Sequence, residues 1–128
     1  QITFDTEDFD TDSAFGSNVF TCPSDKPGIY VFHVELFCQS TNDIGTLELD
    51  LFKNSSANAA ASELFDGTGV TVTAYMARIS HVEKMAAGDT MEVKIKSDIG
   101  NDGTLLVNQS NSNSDNRTRF HGYRLAGL

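Results

Sequence analysis

The chain has 128 residues, 39% of them hydrophobic, with a formal net charge of −9 at pH 7 and a pI near 4.5. This length suits one domain over residues 1–128, able to bury roughly two-thirds of its unfolded surface. The acidity disfavours nucleic acid and anionic membrane surfaces, which recruit Lys and Arg, and no apolar run approaches the ~20 residues that span a bilayer.

Alternation of apolar and polar residues runs almost the whole length, and helical periodicity is nearly absent. "ITF" begins a strand, and a start at Gln1 on such a segment suits a mature secreted chain whose signal peptide has been removed. The next stretch, "TEDFDTDSAFG", carries Glu7, Asp8, Asp10 and Asp12. The alternate aspartates resemble the first half of an EF-hand loop, which also needs Gly at its sixth position and Glu at its twelfth. Those positions hold Ser13 and Val19, so an EF-hand is not expected.

"NVFTC" reads as a short strand closed by the turn "PSDKPG". "IYVFHVELFC" is a long strand, apolar on both faces and therefore central. "GTLELDLFKN" places Leu47, Leu49 and Leu51 on one face and Glu48, Asp50 and Phe52 on the other. "SSANAAASELFDG" lacks an apolar stripe and reads as an irregular or edge segment, despite its alanines. "VTVTAYMARISHVE" is a strand, and "AAGDTMEVKIKS" is a turn followed by a strand with Met91, Val93 and Ile95 inward. "NDG" signals a hairpin leading into "TLLVN". After the polar loop "QSNSNSDN", "RTRFHGYRL" forms the last strand, with Phe120 and Gly122 on one face and Arg119, His121 and Tyr123 on the other. Eight or nine short strands predict an all-β sandwich or barrel, best closed as a Greek-key jelly roll.

Cys22 and Cys38 are the only cysteines. Cys38 stands eight residues beyond Tyr30, roughly 26 Å along a strand at ~3.3 Å per residue, whereas a disulfide needs Cα atoms closer than about 7 Å. Two buried thiols are expected, with an intersubunit bridge as the alternative. Sequons at Asn54, Asn108 and Asn116 are compatible with secretion and glycosylation. No nucleophile elbow, metalloprotease helix, phosphate loop or Cys-x-x-Cys motif occurs, so an enzyme is not expected. His33, His81 and His121 show no zinc-ligand spacing. The polar loop supplies Asn108, Gln109, Asn111, Asn113, Asp115, Asn116 and Arg117, a donor and acceptor set suited to sugar hydroxyls and carboxylates. The same residues also suit a solvated strand connection.

Several stretches together resemble a known family. "VFTCPSDKPGIYVFHVEL" is similar to the globular head domain of complement component C1q at Phe20, Thr21, Pro23, Gly28, Tyr30 and Phe32. "LFKN" at residues 51–54, "MAAGDTMEVKI" with Gly88, Asp89 and Val93, and "RFHGYRL" with Phe120, Gly122, Tyr123 and Leu125 continue the likeness in order. The turn "SDKP" is longer than the family's, and His121 and Arg124 depart from its closing motif. No Gly-X-Y repeat stands in these residues, so the likeness is to the stalkless invertebrate-type members.

The resemblance implies a ten-stranded antiparallel jelly-roll sandwich of the C1q and tumour necrosis factor type, assembled as a homotrimer. It implies a secreted, extracellular pattern-recognition lectin of innate immunity that binds carbohydrate or microbial surface polymers without catalysis. Two other readings are a receptor ligand of the tumour-necrosis-factor type and an acidic calcium-binding matrix protein. The family's arrangement would set Glu48 and Asp50 on the same intersubunit face as Arg119, His121 and Tyr123. His121 would then be a pH-sensitive or metal-binding seam, or a ring packed locally beside Tyr123. No cofactor is required; calcium is a candidate ion, which Asp10 and Asp12 could hold together with Asp98 and Asp102. Solvated surface and a partner-binding patch are the competing uses of those acids.

Overall fold

The computed structural model describes residues 2, 10, 12–100, 103–107 and 118–127. The described residues form nine strands and no α-helix. In chain order these are β1 (Phe15–Gly16), β2 (Val19–Thr21), β3 (Gly28–Ser40), β4 (Ile44–Lys53), β5 (Ala61–Asp66), β6 (Ala74–Met85), β7 (Thr90–Ile99), β8 (Leu105–Val107) and β9 (Arg119–Gly127). The protein is all-β, as the alternation predicts.

Two antiparallel sheets result. One runs β1-β2-β7-β4-β5. In the other, β3 is central, with β6 along one edge and both β9 and β8 along the other. The chain crosses between sheets after β2, β3, β5, β6 and β7, so neighbours in sequence are often not neighbours in a sheet.

Alternation builds the core between the sheets. From β3 come Tyr30, Phe32, Val34, Leu36 and Cys38, and from β4 come Leu47, Leu49 and Leu51. Met91 and Val93 of β7, Ala77, Ile79 and Met85 of β6, and Phe20 of β2 complete it. Phe32, Val34, Leu36, Leu49 and Val93 are fully inaccessible to solvent, and burying each such side chain favours folding by roughly 1.5–3 kcal/mol. An aromatic cluster ties the sheets together at one end. Phe15 stands edge-on to Phe20 at 5.4 Å and to Phe120 at 5.1 Å, and Phe20 stands 5.1 Å from Phe32.

Both cysteines are buried thiols, as expected. Burial pushes the Cys38 thiol up to about 11, with the Glu63 charge adding to the effect, so little reactive thiolate forms near neutrality. A bridge to another subunit would require Cys38, which has no exposed surface, to leave the core.

Two expectations change. The "NDG" segment does not close a hairpin between β7 and β8: β8 pairs with β3 through Cys38↔Val107 and Ser40↔Leu105, in the opposite sheet. The Gly103 amide does donate to the Gly100 carbonyl at 3.2 Å, so a turn stands there, but the strand that follows joins the other sheet, where Leu105 and Val107 pack on the core. Residues 70–73, read as the start of a strand, lie outside β6. They cross between the sheets, where the carbonyls of Val72 and Thr73 accept from the amides of Ile44 and Ser40. "SSANAAASELFDG" is as expected, an irregular segment followed by the edge strand β5. Of "ITF", only Ile2 is described; its amide donates to the Val93 carbonyl.

Candidate functional site

The outer face of the β6-β3-β9 sheet is read most easily as rungs, each with one residue from each strand in register. Glu35 of β3 lies between Arg78 of β6 and Arg119 of β9, and Arg78 Nε stands 3.1 Å from Glu35 Oε1. In the next rung His33 lies between Ser80 and His121. The two imidazoles meet at 5.1 Å between ring centroids, and His33 Nδ1 is 2.5 Å from Ser80 Oγ. The following rung is apolar, with Val31 between Val82 and Tyr123. Val82 and Tyr123 are each 56% exposed. Leu125, 62% exposed, stands at the bulge where β9 slips against Ile29 and Tyr30. Burial and the neighbouring His33 hold the His121 imidazole below its ordinary pKa; Arg119 acts the same way and Glu35 opposes them.

Arg119, His121 and Tyr123 therefore share one face, as predicted. Glu48 and Asp50 do not join them. They lie on β4, laddered between β7 and β5 in the other sheet, while β9 pairs with β3 over Gly28–Glu35. The core separates the two outer faces, so the five residues cannot form one interface within a chain. Glu48 and Asp50 also have local partners. Lys96 Nζ stands 3.2 Å from Glu48 Oε2 and 3.3 Å from Asp50 Oδ2, and Ser62 Oγ donates to Asp50 Oδ1 at 2.5 Å. Asp50 is nearly inaccessible, and its Oδ2 is close enough to Lys96 for an ion pair yet lacks hydrogen-bond geometry.

Two of the expected calcium ligands, Asp10 and Asp12, are engaged locally. Asp10 Oδ1 accepts from the Asp12 amide at 3.1 Å and Oδ2 from the Phe15 amide at 2.8 Å. Burial would raise the Asp10 carboxyl, but the surrounding backbone N–H groups outweigh it and hold it below the ordinary range. Asp12 pairs with Lys26. Asp98 opposes Thr46 near the end of β7, whereas β2 pairs with the start of that strand. Asp102 lies outside the described residues. No group of three or more His, Cys, Asp or Glu side chains stands at metal-binding distance among the described residues.

The polar loop residues Asn108, Gln109, Asn111, Asn113, Asp115, Asn116 and Arg117 lie outside the described residues, and so do the sequons at Asn108 and Asn116. Asn54 is described: it sits exposed in the turn after β4, with its Nδ2 donating to Asp89 Oδ1 at 2.8 Å. Separation in sequence hid the pairing of His33 with His121. Only the β3–β9 ladder brings them together.

No protein-family model matches the chain, and no curated protein matches it.

Proposed function

We propose that the chain is a secreted, non-catalytic recognition domain of the C1q-head type. It would assemble as a homotrimer through the outer face of the β6-β3-β9 sheet and bind carbohydrate or microbial surface polymers at its rim loops. The observation that carries this reading is the Val82–Val31–Tyr123 rung beside Leu125, an exposed apolar area next to the charged rung of Glu35. Such a mixture of apolar anchor and paired charge suits a closed contact between identical subunits. The fold supports the same reading. A sheet ordered β1-β2-β7-β4-β5 lies across the core from one in which β3 pairs with β6, β8 and β9, and the repeated crossings between them are compatible with a jelly roll. On this view a ten-stranded sandwich closes around the core. Three weak sites on one rigid assembly would supply affinity by avidity.

Light scattering on the purified chain tests the assembly. The expected mass is about three times the 13.9 kDa of one chain, and Val82→Lys or Tyr123→Glu should release folded single chains. A wild-type particle of single-chain mass overturns the reading. Glycan-array binding, with calcium and then with chelator, tests the ligand class; a blank array from an intact trimer overturns it.

A further inference from the structure

We propose that the imidazoles of His33 and His121, brought side by side across β3 and β9, form a binding site for a divalent transition-metal ion of the zinc class. The separation of the rings fits a shared ion. With a Zn–N bond of about 2.0–2.1 Å, a metal stands roughly 3.2 Å from each ring centroid, so two rings at the tetrahedral angle lie about 5.2 Å apart. The observed centroid separation is 5.1 Å, with the rings tilted by 44°.

A supporting shell is already in place. The cross-strand partner Ser80 holds His33 Nδ1 at 2.5 Å. With Nδ1–H donating to that hydroxyl, Nε2 carries the free lone pair, as a ligating histidine requires. That same Nε2 lies 3.9 Å from Glu35 Oε1, an oxygen already paired with Arg78 at 3.1 Å.

The donor type selects the kind of ion. Arg78 and Arg119 flank Glu35 in the adjacent rung and offset its negative charge. Calcium, bound by clustered oxygen charge, is therefore disfavoured, whereas imidazole nitrogen suits zinc, copper and nickel. Water would complete the coordination, making this a two-imidazole chelate and a weaker site than a structural four-ligand centre. The site is complete within one chain and does not rest on the homotrimer reading, although it shares that face.

Isothermal titration of the untagged protein with zinc chloride tests the proposal, with calcium chloride as the control. One zinc per chain is expected, with no heat from calcium. His33→Ala and His121→Ala should each weaken binding at least ~10-fold, and Ser80→Ala roughly 10-fold through loss of the supporting bond. His81→Ala should bind as the wild type does, because His81 Nε2 is engaged by Glu83 Oε2 at 2.9 Å. Imidazole nitrogen NMR of the wild type gives a readout that needs no variant. The His33 and His121 resonances should shift together on zinc addition while those of His81 stay in place. Absence of heat at millimolar zinc, or wild-type affinity in either the His33→Ala or the His121→Ala variant, overturns the site. A single-chain mass with zinc bound would instead remove only the assembly reading.

Discussion

The Phe32 ring occupies the space that a side chain on residue 122 would need. A Cβ at Gly122 would lie 2.8 Å from Phe32 Cδ1 and 2.9 Å from Cε1, inside any real contact distance. These residues are directly opposed on β3 and β9, so the glycine is what lets the Phe32 ring lie under the last strand. Gly122→Ala should therefore cost about 1–3 kcal/mol by overpacking. Urea denaturation of the variant reads this directly. Phe32→Leu, costly alone, should lose less in the Gly122→Ala background, because the two changes share one cavity. Strict additivity would refute the coupling.

At one end of the sandwich, Lys53 joins the sheets. Its ammonium stands 3.2 Å from Glu83 Oε1 and 3.1 Å from Asp89 Oδ2, and it donates to the Lys84 carbonyl at 2.6 Å. Burial opposes ionisation of Glu83, but hydrogen bonds from His81 and Lys53 and the Lys53 charge outweigh it and hold the carboxyl low. Asp89 is held low chiefly by the Asn54 side chain and the Ala86 amide, with Lys53 adding to them. Both folded values lie below the ordinary 4.5 and 3.8 of these groups. Their contribution is thus fully present above those values and is lost as pH falls through the lower folded ones. The melting temperature of the wild type should fall as the solution is acidified through this range. Lys53→Gln should melt lower at neutral pH and show a shallower acid decline; curves of equal steepness would discount the latch.

The turn after β4 depends on Asn54. Asn54 and Ser55 both take positive φ, 53° and 49°, a conformation that Asn tolerates better than most residues. The Asn54 carboxamide also accepts from the Thr90 amide at 2.7 Å and donates to Asp89 at 2.8 Å. Asn54→Ala should destabilise the fold by about 1–3 kcal/mol, and Asn54→Gly by less, since glycine keeps the backbone conformation at no steric cost. Chemical denaturation of the pair checks the order. If Gly is as damaging as Ala, the hydrogen bonds and not the backbone set the cost.

The strands were legible wherever one face is buried. Leu47, Leu49 and Leu51 alternate with Glu48 and Asp50 because only one side of β4 meets the core, and Phe120 and Gly122 alternate with His121 for the same reason. Partner choice was not legible. Nothing local in "RFHGYRL" says that its neighbour is β3 and not β4; that follows from which edges remain after the two sheets close. The expected face mixing Glu48 with Arg119 failed on this point, and the His33–His121 contact was hidden by it. Similarly, "NDG" carries the chemistry of a tight turn, but the packing of Leu105 and Val107 sends the chain to the other sheet.

Glu63 gives the sandwich a seal along one flank. From the edge strand β5 its Oε2 accepts the outward amide of Arg78 on β6 at 2.8 Å, and its Oε1 accepts from the Tyr75 hydroxyl at 3.0 Å. Phe65 stacks on Tyr75 at 4.1 Å beside it. A foreign strand seeking to extend the β6 border would meet a carboxylate already bonded there, and would have to break that bond before adding its own. Ribbon-like growth is thereby obstructed along that flank.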